Sequence, residues 1–178
     1  YVIYNPEQQP LKNPYAFGNA WFVDKLDMVD NADAEIEALN TIDPLETAVV
    51  DKRFQIELEG FVPQKDSTAT IVLEEYRPNR LTYKSKADKE QLAVFSEVYY
   101  QPGWKATVDG KEVPHFRADW ILRGMRVPAG EHTIVFEFRP SGYVTAAYVS
   151  SYSSFLILLL LIAAIGWSGW KYWKKSKE

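Results

Sequence analysis

The sequence contains no cysteine, and this absence excludes a disulfide framework, a thiolate metal site and a cysteine nucleophile. Its two histidines are His115 and His132, and it has no Gly-x-Ser-x-Gly elbow, no His-Glu-x-x-His pair and no Walker loop. His115 with Asp119 is interpreted as a polar loop pair because no motif surrounds it. We therefore predict no catalytic residue.

An excess of positive charge is also missing. The formal net charge is −4, and the basic residues outside the C-terminal tail are interspersed with acidic ones, so we expect no nucleic-acid partner. Acidic residues crowd one stretch, namely Asp24, Asp27, Asp30, Asp33, Glu35, Glu37, Asp43, Glu46 and Asp51. The EF-hand spacing around a central glycine is missing there, and the helix dipole explains acids at helix starts. We expect no metal and no cofactor.

A basic leader is absent as well. The chain starts at Tyr1 without a methionine, so we expect a piece of a longer protein or a processed product. Near the other end, Phe155 to Trp170 reads FLILLLLIAAIGWSGW, and the uncharged stretch extends back to Pro140. A bilayer requires about 20 apolar residues, so this length favours a transmembrane helix, predicted over residues 142–173, over a buried core helix.

Aromatic residues and lysines mark the ends of this run. The residues are Tyr148 and Tyr152 upstream, and Trp167, Trp170, Lys171, Tyr172, Trp173, Lys174, Lys175 and Lys177 downstream. Aromatic rings favour the two headgroup layers, and lysines favour the cytoplasmic side. We therefore predict that residues 1–141 lie outside the cytoplasm and that residues 174–178 form a cytoplasmic tail.

The part of the chain before the span is long enough for one domain with a single core. Residues 1–18 are rich in Asn-Pro and Gln-Pro pairs, which are typical of an extended connector. Asn31 can cap a short helix. Asp43 followed by Pro44 predicts a second brief helix, since the carboxylate accepts from backbone N–H groups and proline suits the first helical position.

Strands are predicted from alternating apolar and polar residues and from aromatic and β-branched content. They cover Asn19 to Val29, Phe54 to Glu59, Thr68 to Tyr76, Leu81 to Lys86, Leu92 to Tyr100, Ile121 to Val127 and His132 to Arg139. Asp109-Gly110 predicts a hairpin, and Pro128 to Glu131 predicts a turn into the last strand. The pattern indicates a mainly β fold, an antiparallel β-sandwich (jelly-roll-like) over residues 19–141 with one or two short helices, followed by a single C-terminal transmembrane helix.

Three motifs carry a resemblance to a known family. They are YYQPGWKATVDGK from Tyr99, RGMRVPAGEH from Arg123 and FEFRP from Phe136. Together they resemble the C-terminal part of the YfhO family of bacterial membrane proteins. The resemblance implies the last extracytoplasmic domain and last helix of a polytopic protein in the bacterial cytoplasmic membrane. Such proteins are similar to GT-C-type glycosyltransferases, which use lipid-linked sugars, and some relatives glycosylate cell-envelope polymers. With one span, this chain lacks their multi-helix core, so we expect no catalysis by the chain alone.

Aromatic residues cluster around the predicted hairpin, with Trp104 expected to point inward and Trp120 outward. The predicted binding residues are Tyr100, Arg117, Trp120 and Arg123. Rings can hold a sugar face, and guanidinium groups can hold a phosphate or carboxylate. The alternative is that both arginines only form ion pairs, with Asp119 or Glu112, on exposed strands.

Two functions remain open at this point. In the first, the chain is the accessory domain and anchor of a membrane glycosyltransferase, and its partners are the bilayer, the rest of the parent protein and a lipid-linked sugar or envelope polysaccharide. In the second, it is a non-enzymatic anchored module that binds envelope polysaccharide or a protein partner. Further apolar spans upstream would favour the first, and a signal peptide alone would favour the second.

Overall fold

The computed structural model describes residues 3, 5–11, 13 and 16–177, without the side chains at 141 and 144. The chain forms two compact units, Tyr1–Phe138 and Arg139–Glu178. The predicted connector over residues 1–18 falls partly on positions outside the described residues. Within the described residues, the strands and helices in chain order are β1 Ala20–Val23, β2 Lys25–Val29, α1 Ala32–Ala38, β3 Thr47–Asp51, β4 Thr70–Arg77, β5 Arg80–Ala87, β6 Gln91–Val98, β7 Trp104–Val108, β8 Lys111–Val113, β9 Phe116–Ala118, β10 Leu122–Val127, β11 Gly130–Phe138 and α2 Ser141–Lys175.

Two antiparallel sheets form the body of the first unit. One sheet has the order β1-β6-β10-β9, and the other has the order β4-β5-β11-β7-β8. Side chains of both sheets meet in one apolar cluster, in which the ring of Phe95 lies 4.9 Å from that of Tyr83 and 4.9 Å from that of Phe136. The prediction of a mainly β fold with antiparallel sheets is confirmed.

Strand β6 is covered on both faces, which the predicted one-sided alternation did not anticipate. Ala93 and Phe95 lie in the cluster between the sheets, whereas Leu92 and Val94 pack in a second cluster with residues of β1, β3 and β9. β3 pairs with β2 in a parallel arrangement. This parallel pair was not predicted, and its residues Ala48 and Val50 cover the second face of β6, which explains the continuous apolar run there.

Helix α1 confirms one prediction in the acidic segment, since Asn31 Oδ1 accepts a hydrogen bond from Ala34 N at 2.9 Å. The predicted single strand over Asn19 to Val29 is interrupted at Asp24, where the chain leaves the β6 pairing and joins β3. The prediction of a second helix after Asp43 was wrong, because the described chain forms a single turn there. Asp43 Oδ1 accepts from Leu45 N at 3.0 Å, Asp43 O accepts from Thr47 N at 2.9 Å, and this one turn leads directly into β3.

The strand predicted over Phe54 to Glu59 was also wrong. A 3₁₀ helix spans Lys52–Phe54, and turns with i to i+3 hydrogen bonds follow, such as Leu58 N to Gln55 O at 3.2 Å. The side chain of Ile56 is 77% exposed, whereas Leu58 is buried. Phe54 and Leu58, four positions apart, pack against the second cluster, whereas Ile56 between them faces solvent, so the alternation does not correspond to burial of one face.

The hairpin prediction is confirmed. Asp109 and Gly110 have φ of 50° and 81°, and Val108 pairs with Lys111 across the turn. The turn at Pro128 to Glu131 forms, but it connects different sheets, because β10 pairs with β6 and β11 pairs with β5 and β7.

Helix α2 is the main element of the second unit. Within it, Thr145–Lys175 is long and apolar enough to cross a membrane, and Lys174 and Lys175 occupy its last turn. The predicted C-terminal apolar helix is confirmed as one candidate span among the described residues.

Candidate functional site

A cleft of about 450 Å³ lies beside the β7–β8 hairpin, and we call it the Tyr99 cleft. The loop after β6, the hairpin and the turns after the 3₁₀ helix build it. Its walls include four aromatic or imidazole rings and four polar side chains, those of Phe54, Tyr99, Trp104, His115, Glu57, Gln101, Lys105 and Glu112. Its volume and its mixture of ring faces and polar groups are those of a small-molecule site.

A chain of edge-to-face rings connects the Tyr99 cleft with the core. The ring of Tyr99 lies 5.7 Å from Phe54 and 5.6 Å from His115, and the His115 ring lies 5.6 Å from Phe136. Burial, followed by the charge of Glu57, raises the pKa of the Tyr99 phenol. Tyr99 therefore stays a neutral hydroxyl that can donate and accept a hydrogen bond at physiological pH.

Two polar atoms of the cleft are buried and have no hydrogen-bond partner among the described residues, Glu57 Oε2 and His115 Nε2. Burial, followed by the charge of Arg123, lowers the pKa of His115 to about 4, so its imidazole is neutral above that pH. An unpaired buried polar atom is unfavourable until a ligand or water satisfies it. Both atoms therefore have unused hydrogen-bonding capacity at the wall of the cleft.

The protein holds the two cations in and behind the cleft in different ways: Lys105 is ion-paired, whereas Arg123 forms no ion pair with a described residue and its buried Nη1 has no partner there. Lys105 Nζ lies 3.0 Å from Glu112 Oε2 across the hairpin. Arg123 is 2% exposed, and its guanidinium stacks 4.2 Å from the centroid of the Trp104 ring. Its Nε donates to Val98 O at 3.0 Å. Arg123 thus supports the cleft from inside and presents little charge to solvent.

A second concave surface of about 310 Å³ lies around Trp120, and we call it the Trp120 groove. Its lining is almost entirely apolar and consists of Phe17, Trp21, Leu39, Pro44, Asp119, Trp120, Ile121 and Leu122. Asp119 and Trp120 have φ of 50° and 70°, a backbone region that costs a residue other than glycine about 1–3 kcal/mol. The fold therefore sustains strain to hold this loop in place.

Buried carboxylates hold the strained loop. Glu35 is fully buried on α1, and its Oε1 accepts from Trp120 N at 2.9 Å, while its Oε2 lies 2.6 Å from Arg117 Nη2. Asp119 Oδ1 accepts from Val49 N at 2.8 Å. Arg117 Nη2 also lies 3.5 Å from Asp51 Oδ2, so its charge is shared between two carboxylates.

The four sequence-predicted residues occupy different surroundings. Tyr100 and Trp120 are exposed, at 54% and 41%, and the hydrogen bond from Tyr99 N to Ile121 O joins their loops. Arg117 belongs to the ion cluster below Trp120, and Arg123 lies below Trp104. Neither arginine makes the ion pair considered in the alternative. Whether the four residues bind a ligand stays a prediction.

None of the four predicted binding residues lines the Tyr99 cleft, and sequence reasoning gave three of its residues other roles. Phe54 and Glu57 were assigned to a strand, and His115 was assigned to a loop pair with Asp119. The Asp109-Gly110 hairpin signal could have drawn attention to the segment that leads into His115. No local signal could have placed Phe54 and Glu57 in the cleft, because they lie more than forty positions before Tyr99 and His115 in the sequence.

Residues 61–150 match the family described as bacterial membrane protein YfhO, and this segment is half of the chain. The chain belongs to the YfhO family. The matched segment contains Tyr99, Trp104, Trp120 and Arg123, so it includes the central strands and part of both concave surfaces. No curated protein and no solved structure matches this YfhO-family chain.

Proposed function

We propose that this chain is the extracytoplasmic domain and membrane anchor of a larger YfhO-family protein, and that the domain binds a saccharide of the cell envelope in the Tyr99 cleft. The parent protein would use this contact while it glycosylates an envelope polymer from a lipid-linked sugar. Membership in a bacterial membrane protein family and the one candidate span among the described residues support the anchoring part of the proposal.

The carrying observation is the combination of ring faces and unsatisfied polar atoms in one cleft. A sugar presents an apolar C–H face and a rim of hydroxyl groups, so it needs both. Tyr99 and Trp104 supply rings, while Glu57 Oε2 and His115 Nε2 are buried atoms without partners among the described residues. The net gain would come from satisfying these atoms as the rings are covered.

The charges support a neutral saccharide better than an anionic one. Glu57 contributes an uncommitted carboxylate oxygen, and Lys105 is paired with Glu112. Of the two arginines expected to bind phosphate or carboxylate, Arg117 is paired with Glu35, and Arg123 is buried behind Trp104 and does not line the cleft, although its Nη1 has no partner among the described residues. A phosphate or uronate would meet the Glu57 carboxylate, and the cation in the described lining, Lys105, is already paired with Glu112.

The test uses the full chain in lipid nanodiscs, titrated with cellotriose and with trigalacturonic acid as its anionic counterpart. We expect cellotriose to shift the Trp104 indole resonance and trigalacturonic acid to bind more weakly. Tyr99→Leu and Glu57→Gln should each weaken binding of cellotriose by about tenfold, the loss of one ring or charged hydrogen-bond contact.

A matched control is Tyr76→Leu, because Tyr76 is a 63% exposed tyrosine on β4 that does not line the cleft. It should bind cellotriose as the unmodified chain does. Equal binding of both saccharides, or unchanged binding after Tyr99→Leu, would contradict the proposal.

A further inference from the structure

The Trp120 groove has one charged group among its described lining residues. Asp119 is 6% exposed, and its Oδ2 is buried without a hydrogen-bond partner among the described residues. The walls around it, formed by residues such as Trp21, Leu39 and Pro44, are apolar. A groove of this kind fits a group with a long apolar stem and one donor at its end.

Acidic residues around the groove favour a positively charged donor. Every charged residue between Leu26 and Asp51 is acidic, and this segment supplies the wall that contains Leu39 and Pro44. Within it, Asp33, Glu37 and Asp43 form no ion pair with any described residue. A cationic ligand complements this surface, and an anionic one is repelled.

We propose that the Trp120 groove docks a lysine or arginine side chain from a peptide segment of a protein partner. The aliphatic stem lies along the apolar walls, and the cation meets Asp119 Oδ2 and the Trp120 ring. Ile121, 44% exposed at the groove, gives neighbouring apolar residues of the segment a surface to cover. A saccharide has many hydroxyl groups, for which the groove offers a single polar partner. This inference does not rest on saccharide binding in the Tyr99 cleft.

The electrostatics of Asp119 add a second property. Burial, opposed by the hydrogen bond from Val49 N–H and assisted by the nearby Glu35 carboxylate, raises the pKa of Asp119 to about 6. The other charged groups packed around this loop are Asp51, Arg53 and Arg117, and both arginines are paired with Asp51 or Glu35. A bound cation favours the ionised carboxylate, so docking should strengthen as the pH rises from 5 to 8.

The test follows the Trp120 indole resonance of the full chain in nanodiscs. The probe is the peptide acetyl-Leu-Lys-Leu-amide, and acetyl-Leu-Gln-Leu-amide is its matched neutral control. We expect the lysine peptide to bind at least about tenfold more tightly at pH 8, and this difference to shrink at pH 5. Asp119→Asn, which keeps an oxygen for Val49 N–H, should abolish the difference.

Trp120→Leu provides an independent variant should Asp119→Asn not fold, and its binding is followed by the indole resonance of Trp21, which also lines the groove. It keeps an apolar wall but removes the ring, so it should weaken the lysine peptide several-fold more than the glutamine peptide. Tyr76→Leu should bind both peptides normally. Equal affinity for both peptides, unchanged binding in the Asp119→Asn or Trp120→Leu variant, or a Trp120 shift caused by cellotriose and not by the lysine peptide would overturn the proposal.

Discussion

The guanidinium of Arg123 stacks 4.2 Å from the centroid of the Trp104 ring, in the interior of the sandwich. This contact needs a planar cation, so Arg123→Lys should lose both the stack on Trp104 and the hydrogen bond from Nε to Val98 O. We expect the substitution to lower the free energy of unfolding by about 1–3 kcal/mol. Chemical denaturation followed by near-UV circular dichroism measures it. Arg77→Lys, on an exposed strand, should change the free energy by less than about 0.5 kcal/mol, and equal effects of the two substitutions would contradict the structural role of Arg123.

The hairpin turn gives a second prediction. Gly110 has φ of 81°, and a Cβ at this position would have no atom within 4 Å. A substitution there therefore acts through backbone strain and not through a steric clash. Gly110→Val should destabilise the domain by about 1–2 kcal/mol, because a β-branched residue is disfavoured at positive φ. Gly110→Asn should cost less, since asparagine tolerates this conformation. Thermal unfolding of both variants tests the order, and an equal loss of stability would point to a different cause.

His132 connects two turns and makes stability depend on pH. Its Nδ1 lies 2.6 Å from Asp109 Oδ2, and its Nε2 lies 3.0 Å from Ala129 O. The two ring nitrogens can donate at the same time only when the imidazole is charged. The hydrogen bond to Asp109, followed by the one to Ala129, therefore raises the pKa of His132. The native state therefore binds the proton more tightly than the unfolded chain.

The stabilisation from His132 should be fully present below the unfolded pKa of about 6.5 and should be lost as the pH rises through the higher folded pKa. Melting temperatures of the unmodified chain and of His132→Gln, measured from pH 5 to pH 9, isolate this contribution. We expect the two curves to converge as the pH rises. A constant difference would show that His132 does not stabilise through its charge.

Membrane orientation is a fourth prediction, based on the lysines of the tail. A cysteine introduced by Ser67→Cys in the exposed segment before β4 should react with an impermeant thiol reagent in intact cells. A cysteine introduced by Lys175→Cys, in the last turn of α2, should react only after lysis. The reverse pattern would place the sandwich in the cytoplasm.

Local signals predicted those parts of the fold that depend on nearby residues. Asp109-Gly110 determines its own turn, and Asn31 caps α1 by contacting a residue three positions away. The alternation over Phe54 to Glu59 predicted a strand that does not form, because the segment folds into turns that pack Phe54 and Leu58 against an apolar cluster and leave Ile56 exposed.

The candidate sites were less predictable, for a related reason. Glu35 and Arg117 form their ion pair across 82 positions, so the sequence could not show that the Arg117 charge is engaged. The exposure of Trp120 was predicted from its polar neighbour. However, the left-handed backbone that maintains this exposure depends on Glu35 and Val49, from distant elements.

Saccharide engagement by the Tyr99 cleft is the central claim, and its most direct test is made in cells that produce the full-length YfhO-family protein. The measurement is the saccharide content of the envelope polymers, with Tyr99→Leu compared with Tyr76→Leu at equal protein abundance. We expect Tyr99→Leu to reduce the transferred saccharide about tenfold and Tyr76→Leu to leave it unchanged. Unchanged saccharide content in the Tyr99→Leu cells would contradict the account.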